Sequence, residues 1–207
     1  DTAKVSNDAE QKGIVALVTG TLDGMLRGGI QDILAGGFHR YAVDREWVTP
    51  HFEKMLYDQG QLLSVFAETM AFLDEQSASE QAVKYRRAVD GIIHYVETLA
   101  DPETGMFFCA EDADSLSSPS STHKEEGAFA VWTLDEVREA LGTESKLVDL
   151  ATRTFGLTKE GNATGAELEG KNVLRGLVKI EDYGDLYDEV LERLRAVRQL
   201  RPLPHRD

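Results

Sequence analysis

The chain of 207 residues has one cysteine, Cys109. A single thiol excludes an internal disulfide, a Cys-x-x-Cys redox pair and a thiolate zinc cage. Basic residues are also short: 22 Lys and Arg against 37 Asp and Glu give a formal charge of −15. That excess argues against nucleic acid and anionic membrane surfaces as partners, since phosphate binding needs clustered cations. Long apolar runs are missing as well. The stretch Ile14–Val18 falls far short of the roughly 18 residues needed to span a bilayer, and the polar opening DTAKVSNDAE is no signal peptide. A soluble chain is expected, with the cytoplasm the favoured compartment. His-Glu-x-x-His, a phosphate loop and Gly-x-Ser-x-Gly are absent too, and neither a metal nor a cofactor is expected. What is present, 42% hydrophobic and 29% charged residues, is the composition of a globular chain long enough for one large domain or two small ones.

Apolar spacing predicts mostly helix. Ile14, Leu17, Val18, Leu22, Met25 and Leu26 form one stripe over residues 7–27, closed by Gly28-Gly29. Thr49-Pro50 reads as an N-cap followed by proline at the first helical position, so a long helix is predicted from there to Asp74-Glu75. Ser77 or Ser79 caps a third helix through Ala100, with Val83, Val89, Ile92, Ile93, Val96 and Leu99 as its stripe. Two β-prone runs, Met106–Cys109 and Ala128–Trp132, predict one small hairpin around a mobile Ser-rich loop. Helices return at Leu134–Leu141, Glu144–Phe155 and about Glu181–Leu200, with a Gly/Asn-rich loop from Gly161 to Gly170 and an extended tail RPLPHRD.

Chemistry-bearing residues concentrate in FHRYAVDREWVTPHFEKMLYD, where Phe38–Asp58 holds two of five histidines and 5 of 16 aromatic residues. Rings stack on a ligand, Arg and Lys bind oxygens, and His or a carboxylate moves a proton. In a helix starting at Pro50, His51, Lys54 and Asp58 share a sector while Glu53 lies about 200° from His51, so His51 and Glu53 meet only over the helix N-terminus. The bland reading is mutual satisfaction, with Arg40 and Arg45 paired to Asp44 and Glu46, and Lys54 with Asp58 as a surface pair.

A second constellation is Glu111-Asp112-Ala113-Asp114. In an extended chain Asp112 and Asp114 share one face and Glu111 takes the other. Neighbouring carboxylates split their pKa values into a donor and a base, as in glycosidases; the plain alternative is an acidic edge facing water. His94 and Cys109 read as packing residues, His123 and His205 as solvated ones, and Asn162-Ala163-Thr164 as a glycosylation sequon.

The segments GGIQDILAGGFHRYAVDREWVTPHFEKMLYDQGQLL, FFCAEDADS, EEGAFAVWTLDEV, ELEGKNVL and RPLPHRD, in that order, resemble the spermatogenesis-associated protein 20 family of thioredoxin-domain-containing proteins. The resemblance covers Gly28 to Asp207. It implies a mainly α fold, a partial (α/α) toroid of the six-hairpin glycosidase type with one small β-hairpin. Residues 1–207 would be its N-terminal portion, related in shape to N-acylglucosamine 2-epimerase barrels, with the thioredoxin-like domain of the full-length protein absent from this chain. Two readings follow. In one, the toroid binds a carbohydrate and epimerises, isomerises or hydrolyses it. His51, His39, Glu53, Glu111, Asp112 and Asp114 are then the catalytic candidates, and Arg40, Tyr41, Asp44, Trp47, Lys54 and Asp58 the binding ones. In the other it is a non-catalytic partner of the thioredoxin-like domain, in redox homeostasis or cell differentiation.

Overall fold

The first apolar stripe becomes helix α1 (Thr2–Arg27) in the computed structural model, which describes residues 2–75, 79–142, 145–177 and 184–207. Only its C-terminal half is covered: Leu22 and Leu26 are buried, whereas Ile14 is 60% and Leu17 73% exposed. The chain leaves α1 through Gly28 and turns at residues 30–38. Asp32 closes this turn by accepting the N–H groups of Leu34 and Ala35 at 3.0 and 2.9 Å. Gly36, at φ 79°, lies against Gly91 of the third helix so closely that a Cβ would collide with the Gly91 carbonyl.

The helix predicted from Thr49-Pro50 starts six residues later than Pro50. Tyr41–Ala42 (β1) pairs antiparallel with Pro50–His51 (β2), and Lys54–Met55 (β3) pairs with Ala110–Glu111 (β4), so residues 50–55 run extended and α2 spans Leu56–Glu75. Thr49 does not cap a helix; its hydroxyl accepts the distant Thr164 N–H at 2.8 Å. Cross-strand pairing overrode a local signal. Helix α3 (Ser79–Thr98) packs antiparallel on α2 as a helical hairpin. Its buried face is Tyr85, Ala88, Ile92 and Tyr95, while Val83 and Ile93 of the predicted stripe are exposed. Ser77 lies outside the described residues.

The expected hairpin between Met106–Cys109 and Ala128–Trp132 does not form. Instead the Ser-rich stretch, read as a mobile loop, closes a ladder of its own: Asp114–Leu116 (β5) pairs with Lys124–Glu126 (β6), Asp114 opposite Glu126. Among the described residues three two-stranded ladders thus replace the single one. Helix α4 (Leu134–Leu141) has the predicted bounds and a capping box: Thr133 accepts the Glu136 N–H at 3.1 Å and Glu136 accepts the Thr133 N–H at 2.6 Å. Helix α5 runs Ser145–Phe155 and α6 Gly184–Arg198, and the predicted starts Glu144 and Glu181 lie outside the described residues. With six α-helices among the described residues, covering about half of the chain, the fold is mainly α. Among the described residues no helix is long and apolar enough to cross a membrane.

Three apolar clusters form among the described residues, the smallest of Phe52, Ala113, Val131 and Val173. The two larger ones divide the helices. One joins Leu22, Phe38, Phe66, Tyr85 and Ile92 from α1 to α3, and the other Trp132, Val137, Phe155, Val190 and Leu194 around α4 to α6. The 30–38 turn contributes to both, Ile30 and Phe38 to the first and Leu34 to the second.

Candidate functional site

Where β2 runs beside β6, His51 meets carboxylates on both sides. Its Nδ1 lies 2.6 Å from Glu126 Oε1, and its Nε2 lies 3.7 Å from Glu53 Oε2. Glu126 is also fixed by the Phe52 N–H at 3.4 Å, and Arg40 donates to Glu53 at 2.7 Å. The register pairs Tyr41 with His51, and their rings lie 5.1 Å apart. Asp114 stands opposite Glu126 across β5 and β6, which sets the two carboxylates on one face of that ladder. His51 and Glu53 side chains are each about one quarter exposed, so the constellation is open to solvent without being fully hydrated. The hydrogen bond to Glu53, aided by Tyr57, raises the Arg40 pKa. Asp58 sits close by with Oδ2 buried and unpartnered, and burial above all, with Glu53 adding to it against Arg40, pushes its carboxyl up. A ring flanked by two carboxylates can accept a proton on one nitrogen and release one from the other.

Beneath this surface lies a second charged group. Asp32 accepts from Lys54 Nζ at 2.7 Å and from Arg198 at 2.9 Å, all three side chains being 6% exposed or less. Burial opposes ionisation of Asp32, but Arg198 and Lys54 outweigh it and hold the carboxyl well below the usual range. Lys54 also lies over the Tyr95 ring at 4.3 Å. His39 is buried beside them, with Nδ1 2.9 Å from the Phe52 carbonyl. Burial and then the Lys54 charge lower its pKa to about 3, so the ring is neutral at pH 7 and carries its proton on Nδ1, facing an oxygen that can only accept.

The structure therefore divides the sequence candidates. Arg40, Tyr41, His51, Glu53 and Asp114 gather at one surface, with Asp58 at its edge. Lys54 and His39 are interior. Glu111 is turned inward and held by Arg206 at 2.9 Å, opposite to Asp112 as alternation requires. Asp112 accepts from Lys124 at 3.2 Å and from the Asp114 N–H at 3.2 Å; burial resists, but these bonds lower its pKa. Asp44 accepts the Val48 and Thr49 N–H groups at 2.9 and 2.6 Å and shapes the loop rather than pairing with Arg45. Trp47 lies against α1, its ring 3.4 Å from where a Gly24 Cβ would stand. At φ 58° it is the single non-glycine residue with positive φ among those described, a strain of about 1–2 kcal/mol. His94 and Cys109, read as packing residues, are exposed. The sequon residue Asn162 is bonded inward to the Gly156 and Val173 carbonyls at 2.9 and 3.0 Å, which leaves no amide for a glycan.

Glu126, Asp32, Arg198 and Arg206 carry these arrangements and had no role assigned from the sequence. Glu126 and Asp32 fall within the quoted EEGAFAVW and GGIQDILAGG blocks, but nothing local links either to its partners. Among the described residues no group of three or more His, Cys, Asp or Glu is placed to hold a metal ion.

No protein-family model matches the chain. It is 37% identical to human spermatogenesis-associated protein 20 over 210 residues, 90% of this chain and 26% of that protein. It is 34% identical to the rat protein of that name over 227 residues, 99% of this chain and 28% of the other. An uncharacterized protein of Caenorhabditis elegans is 34% identical over 226 residues, 99% of the chain and 30% of that protein. The resemblance carried by the GGFHRY, DREW and PHFEKMLYD blocks is thus borne out, and the chain is related along nearly its whole length to a stretch of these proteins. It spans between about a quarter and a third of the curated relatives it matches.

Proposed function

Starting from kinship with spermatogenesis-associated protein 20 over that stretch, we propose that the chain is the first portion of an (α/α) toroid of the six-hairpin glycosidase type that transfers protons on a mono- or disaccharide. In the full-length protein it would accompany a thioredoxin-like domain. The supporting observation is His51, held by Glu126 at 2.6 Å on one nitrogen and facing Glu53 at 3.7 Å on the other. That is the arrangement of an oriented base with a proton outlet. In an epimerisation, His51 takes the proton from the carbon next to the open-chain carbonyl, and a proton returns to the opposite face. No oxidant or reductant is consumed. Arg40 binds the carbonyl or hydroxyl oxygens and Tyr41 offers a face for the sugar ring; Asp114 and Glu126 are the carboxylates for the hydrolytic variant of this reading.

The test uses the full-length protein in heavy water with a panel of aldoses, ketoses and disaccharides, followed by proton NMR. Deuterium incorporation next to the carbonyl supports epimerase or isomerase chemistry, and new reducing ends support hydrolysis. Both should drop at least 100-fold in His51→Asn and Glu126→Gln variants. Absence of exchange, cleavage and binding heat for every sugar would overturn the reading.

A non-catalytic role alongside the thioredoxin-like domain is favoured by a different observation, that Arg40, Glu53, His51 and Glu126 already satisfy one another. Unchanged cellular function of a folded His51→Ala, Asp112→Ala double variant would support it. A part in spermatogenesis or cell differentiation belongs to this second proposal.

A further inference from the structure

Three arginines come together in this acidic chain. Arg27 at the end of α1, Arg45 in the Trp47 loop and Arg175 before residue 178 line one groove of about 790 Å³, within the roughly 300–1,000 Å³ of small-molecule sites. Among the described residues no carboxylate lies within ion-pair distance of any of them, although Arg40, Lys54, Lys84, Lys124, Arg138, Arg193, Arg198, Arg201 and Arg206 each have one. Arg175 Nε is buried and has no acceptor among the described residues. Among the described lining residues Glu46 is the single carboxylate, so their balance is +2 in a chain of −15.

The groove's wall is Trp47. Asp44 holds the two following N–H groups, and the Trp47 carbonyl accepts the Gly29 N–H at 2.7 Å, which together keep the backbone in its left-handed conformation. Strain kept in place by surrounding bonds is characteristic of binding sites. The floor is the glycine side of α1: at Gly28 a Cβ would stand 2.6 Å from the Trp47 carbonyl oxygen, so only glycine admits the loop there. Tyr41, His51 and Glu53 do not line this groove, which separates it from the proton-transfer constellation.

We propose that this groove is a binding site for a small molecule carrying an oxyanion, a carboxylate or phosphate, next to a flat ring. The guanidinium groups of Arg175 and Arg45 bind the oxygens, Arg27 adds charge at the α1 terminus, and the ring lies on the indole.

Phenyl phosphate is the probe, with inorganic phosphate and phenol as its two halves. It is titrated into the full chain while tryptophan fluorescence is recorded, since Trp132 is wholly buried and Trp47 is the partly exposed indole of the two. Saturable quenching is expected, weakening as salt rises, with phenyl phosphate at least tenfold tighter than either half. Arg45→Gln, at an exposed position, should weaken binding at least tenfold, and Arg175→Gln more, with the far-ultraviolet circular dichroism unchanged. No saturable binding by the folded wild type, or equal binding by Arg45→Gln, would overturn the site. Tighter binding of a Glu-rich decapeptide than of phenyl phosphate would assign the groove to an acidic protein segment and overturn the small-molecule reading.

Discussion

Arg198 near the end of α6 donates to Asp32 Oδ1 at 2.9 Å, across 166 residues of chain, while Lys54 takes the other oxygen at 2.7 Å. Among the described residues no other carboxylate is paired with two buried cations. Asp32→Asn should therefore cost about 3–5 kcal/mol in urea unfolding, because both cations stay buried without their counter-ion. Exchanging all three residues for Leu, Met and Met should cost less than the single change, since the desolvation penalty disappears with the charges.

His39 sets a pH dependence. Its folded pKa of about 3 lies below the ordinary 6.5, so between those values the unfolded chain binds the extra proton and stability falls as pH drops. The slope should approach about 1.4 kcal/mol per pH unit below pH 6. Asp32, held below 3.8, adds its own loss only at lower pH, and the raised Asp58 acts in the opposite sense. Urea midpoints from pH 7 to 4 should show the slope in the wild type and a flatter one in His39→Asn, whose amide can replace Nδ1–H.

The tail is part of the structure. Cys109 N–H donates to the Asp207 carbonyl at 2.6 Å, Asp207 N–H to Ala110 at 3.1 Å and Asp112 N–H to His205 at 2.8 Å. Arg206 adds its bonds to Glu111 at 2.9 Å and to the Thr98 carbonyl at 2.7 Å. Removing residues 204–207 should strip amide-exchange protection from Cys109 and Asp112, and Arg206→Ala alone should cost about 2 kcal/mol.

The α4 capping box gives a local test. Thr133→Ala should destabilise by about 1 kcal/mol, with Thr133→Ser close to wild type.

How much of this was readable depended on sequence distance. The α4 bounds were legible because the helix is short and its signal local, and its capping box, Thr133 with Glu136, sits at its start. The α2 start was not, because Pro50–His51 and Lys54–Met55 are held extended by Tyr41–Ala42 and by Ala110–Glu111, the latter some 55 positions away. The α3 stripe was legible at Val89, Ile92, Val96 and Leu99, which are buried or packed on the core, but Val83 and Ile93 face outward, and the inward aromatics Tyr85 and Tyr95 carried no aliphatic signal. Of the His, Arg and aromatic residues concentrated in residues 38–58, Arg40, Tyr41, His51 and Glu53 come together at one surface. Which members meet was set by Glu126, 75 positions beyond His51, and by the burial of Lys54 and His39, neither of which a spacing argument reaches.

The turn at 30–38 also governs how the molecule comes apart. Its nine residues place Ile30 and Phe38 in one apolar cluster, Leu34 in the other, and Asp32 on the bond to α6. Neither cluster can melt without pulling side chains of this turn out of the other. The two halves are thus expected to unfold as a single cooperative unit, with one transition by every probe, although they are built from separate sets of helices.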